Sequence, residues 1–520
     1  MMETREARSP AYGRRAMAVT GHSLASLAAI RMFEQGGNVV DAMIAASAAT
    51  AAVLGHAAGI GGDCFLLYRE AASGKTYGLN ASGTAPGLAE PARFSGGMKA
   101  HGALAPVVPG LVRGWDAMHR RFGRLAWGKL FDAAINLAES HPVSQVAAAR
   151  AAVQKDELTA DAGCASLYLP GGRPIGAGEI LRQPALAGSL RLIAEEGADA
   201  FYTGAIAQQI DAFFKPRDGL LRASDLAAYR PVWVEPIATD YRGHQVQAMP
   251  PNSCGAILLM QLDGLSAVES EALAADPARR MGCQMSAMKA AFAAGVPLIA
   301  DPASVPGAVE HLLSPEMKAA MRAAVLQLAH RRIGADSGGT SCLILADAEG
   351  NAISLVQSIF NVFGAGLLDP ETGILFNNRM QGFTHEPGKP NSVAPGKRPA
   401  HTLCPVMVLR GGTLRFAMAT PGGLSQTLTN VQVLSYALDS GLDVQAAVEA
   451  PRWCNTKSGD FLMEREFSEE LVTALAAMGH KAERRDDGYF YGSAKMIELL
   501  ASGALAGGAD FRREGFALGC

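Results

Sequence analysis

The chain has 520 residues, and 46 Lys and Arg against 49 Asp and Glu leave a net charge of −3; that balance excludes the basic excess a nucleic-acid binder needs. Hydrophobic residues make up 49% and charged residues 18%, which excludes intrinsic disorder and allows a sizeable core, in roughly three folding units at about 150 residues each. Eight cysteines without a Cys-x-x-Cys pair give no support to a zinc site or a thioredoxin-like centre, and neither a metal nor a cofactor is expected.

The first residues, MMETREARSPAYGRRAMAV, are charged and carry no apolar run, so no secretory signal is expected. With the scattered thiols, this predicts a cytoplasmic protein that meets neither membrane nor nucleic acid. His22–Gln35 sets Leu24, Leu27, Ile30 and Phe33 at helical spacing and stops at Gly36-Gly37. Asp41–Leu54 is a second, Ala-rich helix, apolar nearly all round and so predicted to be buried; Asp41 and its length exclude a bilayer span. Gly59-Ile60-Gly61-Gly62-Asp63 leads into a strand, Cys64–Tyr68, and a turn at Ala72–Lys75 into another, Thr76–Asn80. From about Leu111 to Met321 the pattern is mostly amphipathic helix, broken at Pro170-Gly171-Gly172 and Pro250-Pro251-Asn252. Near residue 340 the hydrophobic period drops to two. Thr340–Ala348, the turn Glu349-Gly350-Asn351 and Ala352–Ile359 form a hairpin. Leu414–Ala419 is a further strand, followed by Thr420-Pro421-Gly422-Gly423 and an apolar helix through Leu428, Val431 and Leu434. Strands and helices are segregated, which predicts an α+β fold rather than a parallel dinucleotide-binding sheet.

Two phosphate motifs fail. Ser73-Gly74-Lys75-Thr76 lacks the first glycine of a P-loop, its place being Arg69, and Gly59-Ile60-Gly61-Gly62 follows a helix instead of a strand. Gly338-Gly339-Thr340 is chemically richer. Taken alone, it is a β-branched residue opening a strand. It is also suited to self-cleavage: Gly339 leaves the carbonyl before Thr340 unshielded, and the Thr340 hydroxyl can attack it to form an ester that water opens. The new terminal amine, with a reference pKa of about 7.7–8.0, would then lie beside its own hydroxyl and serve as the base that activates it. Such a nucleophile needs an oxyanion hole. Gly422 and Gly423, between a strand and a helix N-terminus, present backbone N–H groups where negative charge is favoured, although a plain helix start fits them equally well.

The chain resembles the γ-glutamyltransferase family of N-terminal nucleophile hydrolases, in its acylase and oxamate amidohydrolase-like branch. Matching stretches run nearly end to end, among them Gly36-Gly37-Asn38-Val39-Val40-Asp41-Ala42, Gly59-Ile60-Gly61-Gly62, Phe201-Tyr202-Thr203-Gly204, Tyr241-Arg242-Gly243, Asn377-Asn378-Arg379-Met380, Thr420-Pro421-Gly422-Gly423 and Ala450-Pro451-Arg452. The resemblance implies a four-layer αββα sandwich made as one precursor. Cleavage at Gly339–Thr340 would leave residues 1–339 as a large subunit and 340–520 as a small subunit that pair with each other; a homodimer of that pair is a further expectation. By position in the family's motifs, the nucleophile falls on Thr340, the hydroxyl that bonds it on Ser358, and the oxyanion glycines on Gly422 and Gly423. The family's two threonines and a histidine read here Thr340-Ser341-Cys342.

The departures from the family concern substrate. The arginine that holds a glutamyl α-carboxylate falls on Ser82, and the acid that holds the α-amino group on Gly382. A glutamine is replaced by Arg379, one of a pair of carboxylate-binding serines by His401, and an asparagine by Phe360. The short segment between Phe383 and Lys397 implies a reduced lid. A pocket that has lost an anion and gained an arginine suits an acyl donor with a carboxylate but no α-ammonium, such as oxamate or another monoamide of a small dicarboxylic acid. A γ-glutamyl hydrolase or transferase acting on glutathione-like substrates is the alternative, and an unprocessed, inactive scaffold a third reading.

Overall fold

The computed structural model describes residues 8–327, 339–456, 458–485 and 488–520. Fourteen strands build the main sheets: β1 (Ala11–Gly13), β2 (Ala16–Thr20), β3 (Asp63–Glu70), β4 (Lys75–Ala81), β5 (Val232–Val234), β6 (Ile237–Tyr241), β7 (His244–Ala248), β8 (Gly339–Asp347), β9 (Ala352–Phe360), β10 (Val406–Arg410), β11 (Thr413–Ala419), β12 (Lys495–Leu499), β13 (Leu505–Ala509) and β14 (Phe516–Gly519). One sheet runs β14-β2-β8-β9-β3-β4-β5 and the other β1-β13-β12-β11-β10-β7-β6, antiparallel throughout.

Side-chain alternation turns these sheets into layers. Along β8, Cys342, Ile344 and Ala346 point at the other sheet and meet Met407, Ala417 and Ile497 in a core between the two. Leu343 and Leu345 point the other way, onto a helical layer that includes α1 (Ser23–Glu34) and α2 (Val39–Val53). The second sheet does the same with Val408, Phe416 and Met418, which pack on α3 (Gly255–Leu265), α4 (Pro277–Gly295) and α5 (Gln426–Leu438). Three apolar cores thus separate four layers, helix–sheet–sheet–helix: the αββα sandwich expected from the sequence.

Every residue of α2 is buried, so Asp41 needs partners. It has them: its carboxylate accepts the Asn38 N–H, while Asn38 caps the amides of Val40 and Asp41, and the Arg124 and Leu125 amides also donate to Asp41. The hairpin at 340–360 forms as expected, its turn held by Asp347 Oδ1, which accepts from Glu349 and Asn351. The stretch expected to be mostly helical needs one correction. It supplies β5, β6 and β7, which finish the edges of both sheets. β1, β2, β10 and β12–β14 are not anticipated by the sequence pattern either: each spans five residues or fewer, β1, β2, β13 and β14 are rich in Ala and Gly, and β10 (VMVLR) is apolar without alternation.

Candidate active site

The β8–β9 ladder slips between Gly339 and Ser341, and Thr340 sits in that irregular step. Its hydroxyl lies 2.7 Å from the Gly339 carbonyl oxygen and 3.2 Å from Ser358 Oγ. Ser358 donates to the same carbonyl at 2.7 Å and accepts the Phe360 amide at 2.8 Å. The carbonyl that Thr340 would attack is therefore already polarised by the Ser358 hydroxyl, whose own orientation is fixed by backbone. Phe360, opposite Gly339, has φ 79°, a conformation strained for a residue with a side chain. Gly62 lets β3 close on β9: a Cβ there would meet the Ser358 carbonyl oxygen at 2.2 Å.

Gly422 (φ 138°) and Gly423 (φ 59°) form the turn after β11, and a short 3₁₀ turn, Gly423–Ser425, leads into α5. Their backbone is open only to glycine at Gly422. Pro421 shares a cavity wall with Thr340, which brings this turn to the same end of the sandwich as the hydroxyl pair.

Ser358 pairs directly with Asp63 on β3, a residue that sequence reasoning passed over as the end of a glycine loop. Asp63 is fully buried. Its Oδ1 takes Arg379 Nη2 at 3.1 Å and its Oδ2 takes His401 Nε2 at 2.8 Å. Burial alone would raise this carboxyl, but Arg379 and His401 together hold it below its usual range. Burial, aided by Arg379, pushes His401 down to about 4, so the imidazole is neutral near pH 7, donating from Nε2 and accepting the Leu403 N–H at Nδ1. The expectation of a pocket with a free arginine and no anion is corrected here: Arg379 is fully buried, its charge balanced by Asp63 and its guanidinium covered by the Phe360 ring at 4.5 Å. Its Nε and Nη1 have no hydrogen-bond partner.

The remaining positions explain the other departures. Ser82 is buried in a network with Asn80 and Asn252, where its hydroxyl donates to Asn80 Oδ1 at 2.7 Å and accepts from Asn252 Nδ2 at 3.2 Å. Gly382 ends a 3₁₀ turn that starts at Arg379, and a Cβ on it would meet the Ala400 carbonyl at 2.7 Å, so the space an acidic side chain would need is filled. Among the described residues no group of three or more His, Cys, Asp or Glu could hold a metal ion, and no helix is long and apolar enough to cross a membrane.

The chain matches the family model for gamma-glutamyltranspeptidase over residues 25–520. It is 33% identical to the acylase ACY 1 proenzyme of Pseudomonas sp. (strain SE83), over 98% of this chain and 94% of that protein. It is 32% identical to the glutathione hydrolase-like YwrD proenzyme of Bacillus subtilis (strain 168), over 98% of this chain and 99% of that one. Proteins named oxamate amidohydrolase and glutathione hydrolase also match, each at 30% identity. The crystal structure of a cephalosporin acylase from Bacillus halodurans superposes with a TM-score of 0.93 at 32% identity, covering 100% of this chain and 98% of that one.

Proposed function

Since this chain belongs to the γ-glutamyltranspeptidase family and is an amide hydrolase or acyltransferase of it, we propose that Thr340 is its nucleophile and that it matures by cutting itself at Gly339–Thr340. The observation that carries this reading is the pair of hydroxyls, Thr340 and Ser358, on the single carbonyl oxygen of Gly339. In the precursor, Thr340 Oγ adds to the Gly339 carbonyl carbon while Ser358 steadies the oxygen; the C–N bond breaks, the amine takes a proton, and water opens the ester. Residues 1–339 and 340–520 then remain together through the shared sheets, and the terminal amine of Thr340 becomes the base for the next substrate. Turnover repeats the chemistry. Thr340 Oγ attacks an amide carbonyl, the N–H groups of Gly422 and Gly423 stabilise the oxyanion, the amine leaves, and water or an acceptor amine takes the acyl group. The names of its relatives as proenzymes support such processing.

The acyl donor is proposed to be a small, carboxylate-bearing amide of the oxamate kind. Ser82 and Gly382 offer a zwitterionic glutamyl group neither cation nor anion, and both Asp63 oxygens are engaged. Arg379 retains two nitrogens without a hydrogen-bond partner, Nε and Nη1, as the donors of a carboxylate anchor once Phe360 turns aside. A comparison of kcat/KM for oxamate and γ-glutamyl-p-nitroanilide tests the choice. The proposal expects oxamate to be favoured at least about tenfold, the effect of one charge-assisted hydrogen bond. A preference for the γ-glutamyl amide would make glutathione-like donors the substrate, and a processed enzyme inert to both would contradict either reading.

A further inference from the structure

A second charged site borders Thr340, on the side away from Arg379. The row Thr340, Ser358, Asp63 crosses β8, β9 and β3 toward Arg379 and His401. Beyond Thr340 in the opposite direction lies β2, and the residue after it, Gly21, lines a small cavity of about 30 Å³ together with Thr340, Ser341, Lys495 and Arg513. That volume takes one carboxylate or a pair of waters.

The cavity wall is positively charged. Lys495 is fully buried, and its ammonium donates to the Ser493 carbonyl and hydroxyl at 2.8 and 3.0 Å. Arg513, also buried, spends Nε and Nη2 on the Tyr489 carbonyl and leaves Nη1 without a partner. Ser341 Oγ, 4% exposed as a residue, has none either. Arg150 stacks on the Tyr489 ring and adds to the positive field at Arg513. Of the acids nearby, Asp510 is shared between Arg452 and Arg512, and Glu514, which also lines the cavity, accepts the Val146 amide. Buried cations in excess of their carboxylates, with donors left over and room for one group, call for an anion.

We propose that this cavity is a carboxylate subsite for the amine half of the substrate, so that the enzyme's full substrates are dicarboxylic acyl groups carried on amino acids; a primary amide such as oxamate, which releases ammonia, fills only the acyl half. This rests on the reading of Thr340 as nucleophile: an amide held across it has its acyl half toward Arg379 and its leaving amine toward Lys495 and Arg513. It deepens that reading by naming a second recognised charge, one that departs with the leaving group.

The test uses the processed full-length enzyme. Glutaryl-glycine and glutaryl-glycinamide share an acyl group and differ only in the leaving-group carboxylate; the wild type should prefer the first by roughly tenfold to a hundredfold in kcat/KM. Lys495→Met and Arg513→Gln should each erase most of that ratio, and Arg513→Lys should restore part of it. N-acetylglycine, but not N-acetylglycinamide, should raise the melting temperature of the wild type and leave those of the first two variants unmoved. A ratio near one in the wild type overturns the proposal. So does a ratio that survives both substitutions, or one that shifts instead between glutaryl-glycinamide and pentanoyl-glycinamide, which would assign the cavity to the acyl half. Loss of turnover with the N-acetylglycine shift intact would contradict the acyl-donor reading and leave the subsite standing.

Discussion

Asp63, Arg379 and His401 act as one unit. Removing the arginine altogether would strand a buried carboxylate beside a neutral imidazole, a loss of about 3–5 kcal/mol, so Arg379→Ala reports on folding more than on substrate. Arg379→Lys keeps the charge and loses the planar guanidinium. Its KM for oxamate should rise about tenfold or more with kcat changed less, and an unchanged KM would remove Arg379 from the binding site. The two most depressed imidazoles give a pH prediction. His56 and His401 are both pushed down to about 4, mainly by burial, whereas an unfolded histidine titrates near 6.5. Between these values the unfolded chain binds protons that the folded one refuses. Stability is therefore full above about pH 6.5 and falls on acidification, by up to about 1.4 kcal/mol per pH unit for each imidazole. Urea midpoints measured from pH 7 to pH 4.5 should drop along this slope, and His56→Gln should flatten it by about half. A flat profile would mean that these rings are not buried neutral.

Among the elements, the hairpin β8–β9 and its neighbour β3 carry the residues proposed for the chemistry, and their spacing depends on Gly62. A methyl group there would overlap the Ser358 carbonyl at 2.2 Å. Gly62→Ala should push β3 from β9, displace both Ser358 and Asp63, and slow processing far more than it lowers the melting temperature. Normal processing kinetics in that variant would show that the close approach is not needed. The elements also differ in how readily their sequence announces them. α2 was legible as a long Ala-rich run, apolar nearly all round and set off by Gly36-Gly37, and the 340–360 hairpin by its sustained period of two and clear turn residues. β5–β7 span three to five residues each, with Pro236 between the first two, and such brief alternation is lost in a largely helical stretch.

At the scale of the whole molecule, the sandwich brings together residues that no local pattern links. Asp63 and Arg379 are 316 positions apart, and Asp63 and His401 are 338 apart; read separately, an acid after a glycine loop, an arginine after an Asn pair and a histidine before a strand each look like surface residues. Motif order was enough to place Thr340, Ser358, Gly422 and Gly423 as candidates at one site. It could not show that Arg379 is neutralised, because charge balance is a property of packing. The same packing gathers Lys495, at the start of β12, and Arg513, in the 3₁₀ turn between β13 and β14, against the end of β8.

The central claim is that this chain cuts itself before Thr340. The most direct measurement is the intact mass of the purified protein under denaturing conditions, alongside Thr340→Ala. The account predicts two chains from the wild type, the smaller beginning at Thr340, and one uncut chain of 54.2 kDa from the variant. A single 54.2 kDa species from the wild type after long incubation, or cleavage that persists in Thr340→Ala, would contradict it.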